Sequence, residues 1–211
     1  MVIRMKKKLV SILLVAMLAG TITACGGNDT GRTSDEVSTG TTDESGMVSS
    51  ENAEEIGVAH LESAEAVSAF FDEIYAAVPQ EQMPMGLGTM ELELSDAETV
   101  AYHTGISDLS QIDGITLSES MVGSIAYSVV YVRTKDGADV EAIKQTMMDN
   151  IDPAKWICVT AEKQMAASFG NDIFYIMTAT ETADLVYEQA VKAAEARDMK
   201  VSNLVEKVNP L

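Results

Sequence analysis

SIAYSVVYVRTKDGADVEAIKQTMMDNIDPAKWICVTAEKQM, residues 124–165, decides the fold class. Its first part is rich in Val, Ile and Tyr, side chains that suit a pleated, buried surface. Ser124–Thr134 therefore reads as a strand. The period then changes: Val140, Ile143, Met147 and Ile151 recur at three and four residues, which is one stripe of a helix opening near Asp136. Asp139 and Glu141 place negative charge at its positive end. Pro153 closes that segment, and KWICVTAEKQM, from Lys155, reads as the next strand. One strand, one helix and a second strand thus sit in about forty residues, which points to a layered α and β fold.

Outward from this stretch the same alternation continues. Ile112–Ser120 reads as a preceding strand, with Gly123 near the turn. FGND at 169–172 reads as a turn and IFYIMTA at 173–179 as another strand. Thr178 with Glu181 opens a helix to about Arg197, and the tail NLVEKV at 203–208 is expected to add a short helical turn or to fray. Upstream, Ser63 caps a helix whose Val67, Phe70, Phe71, Ile74 and Val78 share one side, and Pro79 stops it. QEQMPMGLGTM is a loop by its Pro and Gly. MELEL reads as a short strand, and Ser95 with Glu98 has capping-box spacing for a brief helix ended by Gly105. The expectation is an α+β fold: an antiparallel sheet of about four strands in ββαββα order, helices mainly on one face, preceded by an N-terminal helix.

Residues 1–24 read as an export signal. Arg4, Lys6, Lys7 and Lys8 precede an apolar core from Leu9 to Ala19, too short to span a bilayer, which takes about 20 residues. Ile22-Thr23-Ala24-Cys25 has the pattern of a bacterial lipoprotein signal, so Cys25 is the expected lipidation site. Each buried acyl CH₂ contributes about 0.8 kcal/mol to anchoring. Residues 25–56 hold Gly, Ser, Thr and acids with few apolar side chains; such a segment cannot offset its ordering entropy and reads as a disordered tether. The expected organisation is then one α+β domain over 57–198 and a tail over 199–211.

The precursor carries −19. Without residues 1–24, ten basic residues against 33 acids leave −23, which disfavours nucleic acid, whose phosphates need Lys and Arg. An envelope protein or peptide is the expected partner, besides the membrane reached through the lipid on Cys25. Only Cys25 and Cys158 occur, so no disulfide framework holds the domain and packing must do so.

YHTGI, the stretch from Ser124 to Lys163 and the Cys-Gly-Gly of the lipid-attachment signal resemble a domain-of-unknown-function family of small Gram-positive lipoproteins. The resemblance covers roughly Val58 to Arg197, and DPAKWICV is its most distinctive piece. It implies a cell-surface setting, on the outer face of the cytoplasmic membrane, and carries no catalytic or ligand residue across.

The candidates for chemistry are few. His103 lies in YHTGISD with Asp108 five positions on, but no Gly-x-Ser-x-Gly elbow accompanies it, and it reads as a surface or capping residue. Two histidines and one further Cys show no zinc spacing. Cys158, in WICVT, reads as a buried small hydrophobe; as a reactive thiol it would need exposure and a cation such as Lys155 or Lys163. Met83, Met85 and Met90 could offer soft thioethers to Cu(I) or serve as adaptable filler. Tyr127 and Tyr131 share a strand face, and with Trp156 they form the candidate binding surface, on a sheet face that helices leave open. The favoured expectation is a non-catalytic binding or scaffolding module with no cofactor. The alternatives are a thiol- or His-dependent enzyme or redox module, and a Met-loop copper carrier.

Overall fold

The structure, a computed structural model, describes residues 60–210. The export signal, Cys25 and the acidic tether lie outside them. None of the described helices is long and apolar enough to cross a membrane.

The fold is α+β. Its centre is an antiparallel sheet of six strands: β1 (Leu87–Glu91), β2 (Ile112–Ser120), β3 (Ser128–Thr134), β4 (Lys163–Phe169), β5 (Asp172–Thr178) and β6 (Val201–Val208). Their spatial order is β1-β2-β3-β5-β4-β6. Four α-helices complete it: α1 (Ala64–Ala77), α2 (Ala97–Thr104), α3 (Val140–Asn150) and α4 (Thr180–Glu195). The expected sheet of about four strands therefore becomes one of six: β6 is added at one edge, and the short strand expected over MELEL forms the other edge as β1, which starts earlier, at Leu87 in the segment expected to be loop. The tail is not a separate segment, since β6 pairs antiparallel with β4.

Helices cover both faces of the sheet, not one. Val67, Phe70, Phe71 and Ile74 of α1 and Ala183, Val186 and Ala190 of α4 pack on Val129, Tyr131, Phe174 and Ile176. On the other side Val100 of α2 and Ile143, Met147 and Met148 of α3 pack on Leu117, Val130, Val132, Ile173 and Tyr175. Every residue of β3, β4 and β5 is buried as a result. Each fully buried large apolar side chain contributes about 1.5–3 kcal/mol. Tyr127 and Tyr131 are 0 % exposed, so they belong to the core and offer no binding surface.

Local chemistry sets the element ends. Ser63 accepts from the Ala66 N–H at the start of α1. Asp96, not Ser95, caps α2, accepting from Thr99 N–H at 3.1 Å. Gly105 ends α2 at φ 69, and a Cβ there would lie 2.7 Å from Asn150 Cβ. Only glycine meets both demands cheaply. α3 begins four residues later than expected, capped by Asp139. Its Lys144 is 1 % exposed; the ammonium group donates to Glu141, to Ser168 Oγ and to the carbonyl of Asn203. That contact fixes β6 where its register shifts.

The sheet has two unlike ends. α1 enters at one, where Arg133 donates to the Glu62 carbonyl. The loops 79–86, 121–127 and 152–162 gather at the other, because β1, β3 and β4 all start there while β2 ends there.

Candidate functional site: a buried charge cluster and an apolar end

The segment 151–162 has no regular structure, so the strand expected from Lys155 begins only at Lys163. Its backbone closes on itself and on a neighbour instead: Ala161 N–H donates to the Pro153 carbonyl, and Ile157 N–H donates to the Gly123 carbonyl at 3.0 Å. Lys155 pins it from below. Its ammonium nitrogen lies 2.8 Å from Glu119 Oε1 near the end of β2, with only 2 % of the lysine side chain exposed. The contact is an ion pair by distance, at an angle outside good hydrogen-bond geometry. The rings of Tyr102 and Trp156 cover the same nitrogen, with centroids 5.4 and 5.2 Å away, within cation–π range. Tyr102 also donates its hydroxyl to the Lys155 carbonyl.

His103 completes the cluster. Its Nδ1 is 3.2 Å from Lys155 Nζ and 3.4 Å from Glu119 Oε2. A protonated Lys155 donates to Nδ1, which puts the imidazole proton on Nε2. Nδ1 can then donate nothing to Glu119. Burial pulls the Lys155 pKa below its usual value, opposed by Glu119. Burial, and next the Lys155 charge, hold His103 below its usual value, with Glu119 again opposing. So His103 is neither a surface nor a capping residue: it is a neutral acceptor inside an ion pair. Ser128 stands opposite Glu119 in the sheet, yet its buried Oγ makes no hydrogen bond to protein. Among the described residues His103 makes no hydrogen bond to a serine or cysteine, and the contacts of the cluster tie the 151–162 segment to the sheet.

What that segment presents is apolar. Ile157 is 73 % exposed, and Met121 at 68 %, Val122 at 39 % and Met85 at 76 % lie in the loops at the same end of the sheet. These come from three loops that are tied together. Met121 N–H donates to the Gly86 carbonyl, and Ser120 Oγ donates to the Met85 carbonyl. A Cβ on Gly123 would touch Ile157 Cδ1 at 3.7 Å. Trp156 is half-buried and packs on the core below α3, so it supports this end and contributes little to its surface.

Cys158 is exposed and unpaired, against the buried placement expected. It sits at φ 62, a backbone region a residue with a Cβ rarely takes. Neither expected cation is free to serve it, because Lys155 is held by Glu119 and Lys163 by Asp184 and Glu206. The three methionines do not converge. Met83 packs against the α1/α4 side, whereas Met90 shares the α2/α3 face with its sheet partner Leu117, and Met85 is exposed. Among the described residues no group of three His, Cys, Asp or Glu could hold a metal ion.

A cleft of about 350 Å³ opens nearby, lined by Met83, Ile125, Val159, Glu162 and Thr182 among others. The N-terminus of α4 points toward it, but Glu162 already accepts from the Thr180 N–H at 3.0 Å. A carboxylate of the chain thus occupies the place an anion would take.

Local spacing could not have revealed this cluster, since Glu119 is far in sequence from both His103 and Lys155. The one local signal was the dipeptide Lys155-Trp156, a cation beside the chain's single tryptophan. Comparison with protein-family models, with curated proteins and with solved structures gives no match.

Proposed function

We propose that this is a lipid-anchored envelope protein whose folded domain is a non-catalytic binding module, with the apolar loop end as its contact surface. The lipid-attachment signal at Cys25 and the acidic segment after it support export and anchoring on the outer face of the cytoplasmic membrane, in the manner of the Gram-positive lipoproteins the chain resembles. The observation that carries the binding role is the clustering of Met85, Met121, Val122 and Ile157, four exposed large apolar side chains from three loops. Isolated exposed hydrophobics are ordinary, whereas a contiguous group marks an interaction site. The buried Lys155–Glu119 pair supports the same reading, because it ties one of those loops, which has no regular structure of its own, to the end of β2.

The chain enters the domain at the opposite end, roughly the length of α1 away, about 21 Å. Anchoring through the N-terminus thus leaves the apolar end free to face a partner. The test is crosslinking in intact envelopes with the full lipidated chain. A recurrent partner captured by the wild type and lost in the double variant Met121→Ser, Ile157→Ser supports the reading. Equal capture by both proteins sinks it.

A further inference from the structure

The geometry points to a specific mode of binding next to that end: the outer edge of β1 accepts an extended, apolar and basic peptide segment as an added strand. This rests on the binding-module reading and names the kind of partner.

β1 is the terminal strand of the sheet, and no described strand pairs with its outer side. The hydrogen-bond pattern shows which of its backbone groups are free. Met121 N–H donates to Gly86 carbonyl and Leu92 N–H to Ile115 carbonyl. Antiparallel ladders alternate residue by residue. With Gly88 opposite Glu119 and Met90 opposite Leu117, the groups of Gly86, Gly88, Met90 and Leu92 point to β2. Those of Leu87, Thr89 and Glu91 point outward, roughly 6.8 Å apart, the spacing an incoming strand needs.

The two edges of the sheet differ in how they are guarded. β6 has a register shift, Asn203 at φ 54 and the lysines Lys200 and Lys207 at its ends, all devices that discourage strand addition. β1 has none of these: it carries no Lys, no Pro and no shift in register. The apolar side chains lie beside it as well. Among the described residues eight large apolar side chains are exposed, and six of them (Met85, Met90, Tyr102, Met121, Val122 and Ile157) belong to β1, to the three loops at the end of the sheet where β1 starts, or to the helix over Glu119. Met90 is on the same face as Gly88, against which Met121 packs: a Cβ there would lie 3.1 Å from Met121 Sδ.

Charge selects the occupant. Residues 79–104, which include β1, carry five acids (Glu81, Glu91, Glu93, Asp96 and Glu98) and no Lys or Arg; Glu91 is paired with Arg133 of β3, which leaves four acids unmatched by a cation among the described residues. A second copy of the same edge would set acid against acid, and an anionic bilayer would be repelled likewise. A basic segment with apolar residues on alternate positions meets both the charge and the methionine face.

The probe is an eight-residue peptide alternating Lys and Val, with a Glu–Val peptide as control. It is added to the full lipidated chain in phosphatidylcholine nanodiscs, and amide hydrogen exchange is followed. The expected result is a rise in protection of at least tenfold at Leu87, Thr89 and Glu91. Gly88 and Met90, already bonded to β2, should change little. The Glu–Val peptide should bind at least tenfold more weakly. Thr89→Pro removes an outward N–H without touching the ladder and should weaken Lys–Val binding by about tenfold or more. No binding of the Lys–Val peptide, binding without protection at those three amides, or protection that appears with protein concentration alone (a second copy) would overturn the proposal. Envelope capture separates the two readings. A partner lost in the Met121/Ile157 double variant but kept by Thr89→Pro overturns strand addition alone, whereas a partner kept by both variants removes the binding surface altogether.

Discussion

Lys155 Nζ and Glu119 Oε1 are 2.8 Å apart in a place where the lysine side chain is 2 % and the glutamate side chain 14 % exposed. A pair this buried gains little net stability from its attraction, because both ions lost water to form it. Removing one partner is another matter, since it strands the other charge. Glu119→Gln is expected to destabilise the domain by about 3–5 kcal/mol. The double variant Glu119→Gln, Lys155→Met should recover much of that loss. Urea unfolding of the four proteins of this cycle measures it. Full additivity of the two single changes would show that the ions do not act as a pair.

His103 gives the domain a pH dependence of known sign. Burial and the Lys155 ammonium depress its folded-state pKa, so the folded protein binds this proton less well than the unfolded chain. The stabilisation is full above the unfolded value, about 6.5, and is lost as pH falls through that value toward the folded one. Protonation sets a second cation against Lys155, with Glu119 as the one anion facing both, Tyr102 alongside and Asp152 acting on Lys155. Stability should therefore decline between pH 7 and 5 at up to about 1.4 kcal/mol per unit. The depressed carboxylates Glu73, Asp96, Asp108 and Glu141 lose their contribution at lower pH. His103→Gln should flatten the decline above pH 5, and an unchanged slope in that variant would assign it elsewhere.

The class of the fold was legible in residues 124–165 because apolar period reports local structure directly. The covering of both sheet faces was legible too, in a feature that strand-by-strand reading passes over. Ser128–Val132 and Ile173–Met177 are nearly unbroken apolar runs, and a strand with one wet face alternates instead. β6 was hidden for a different reason. Leu204, Val205 and Val208 are spaced as on a helix, and its pairing with β4 depends on Lys144 reaching the Asn203 carbonyl from α3. WICVT reads as strand from composition alone. It is a loop because Lys155 finds Glu119 and Ile157 N–H finds Gly123, contacts that only the folded chain brings together.

Arg133 and Gly114 form a second close relationship in the sheet. The guanidinium lies over Gly114, where a Cβ would clash with Nη2 and Cζ. It is not free to swing away: it bonds Glu91 and Asp113, each at 3.0 Å, and the Glu62 carbonyl at the start of α1. Gly114→Ala should therefore cost about 1–3 kcal/mol by overpacking. In an Arg133→Met background the same change should cost much less, because the clash has gone. Thermal or urea unfolding checks both, and an equal cost in the two backgrounds would place the strain in the backbone instead.

Cys158 offers the sharpest local test of the 151–162 loop. Its side chain is exposed and its backbone is at φ 62, so a maleimide should label the native protein completely, with no denaturant. A non-glycine residue in this region carries about 1–3 kcal/mol of strain. Glycine relieves that strain but adds unfolded-state entropy, and the two effects nearly cancel. Cys158→Gly should thus change stability by less than about 1 kcal/mol. Cys158→Val brings a branched Cβ into the same conformation and should destabilise by more than about 1 kcal/mol. Labelling that requires urea, or a valine variant as stable as the glycine one, would mean that the loop does not hold the conformation that brings Ile157 to the surface beside Met121.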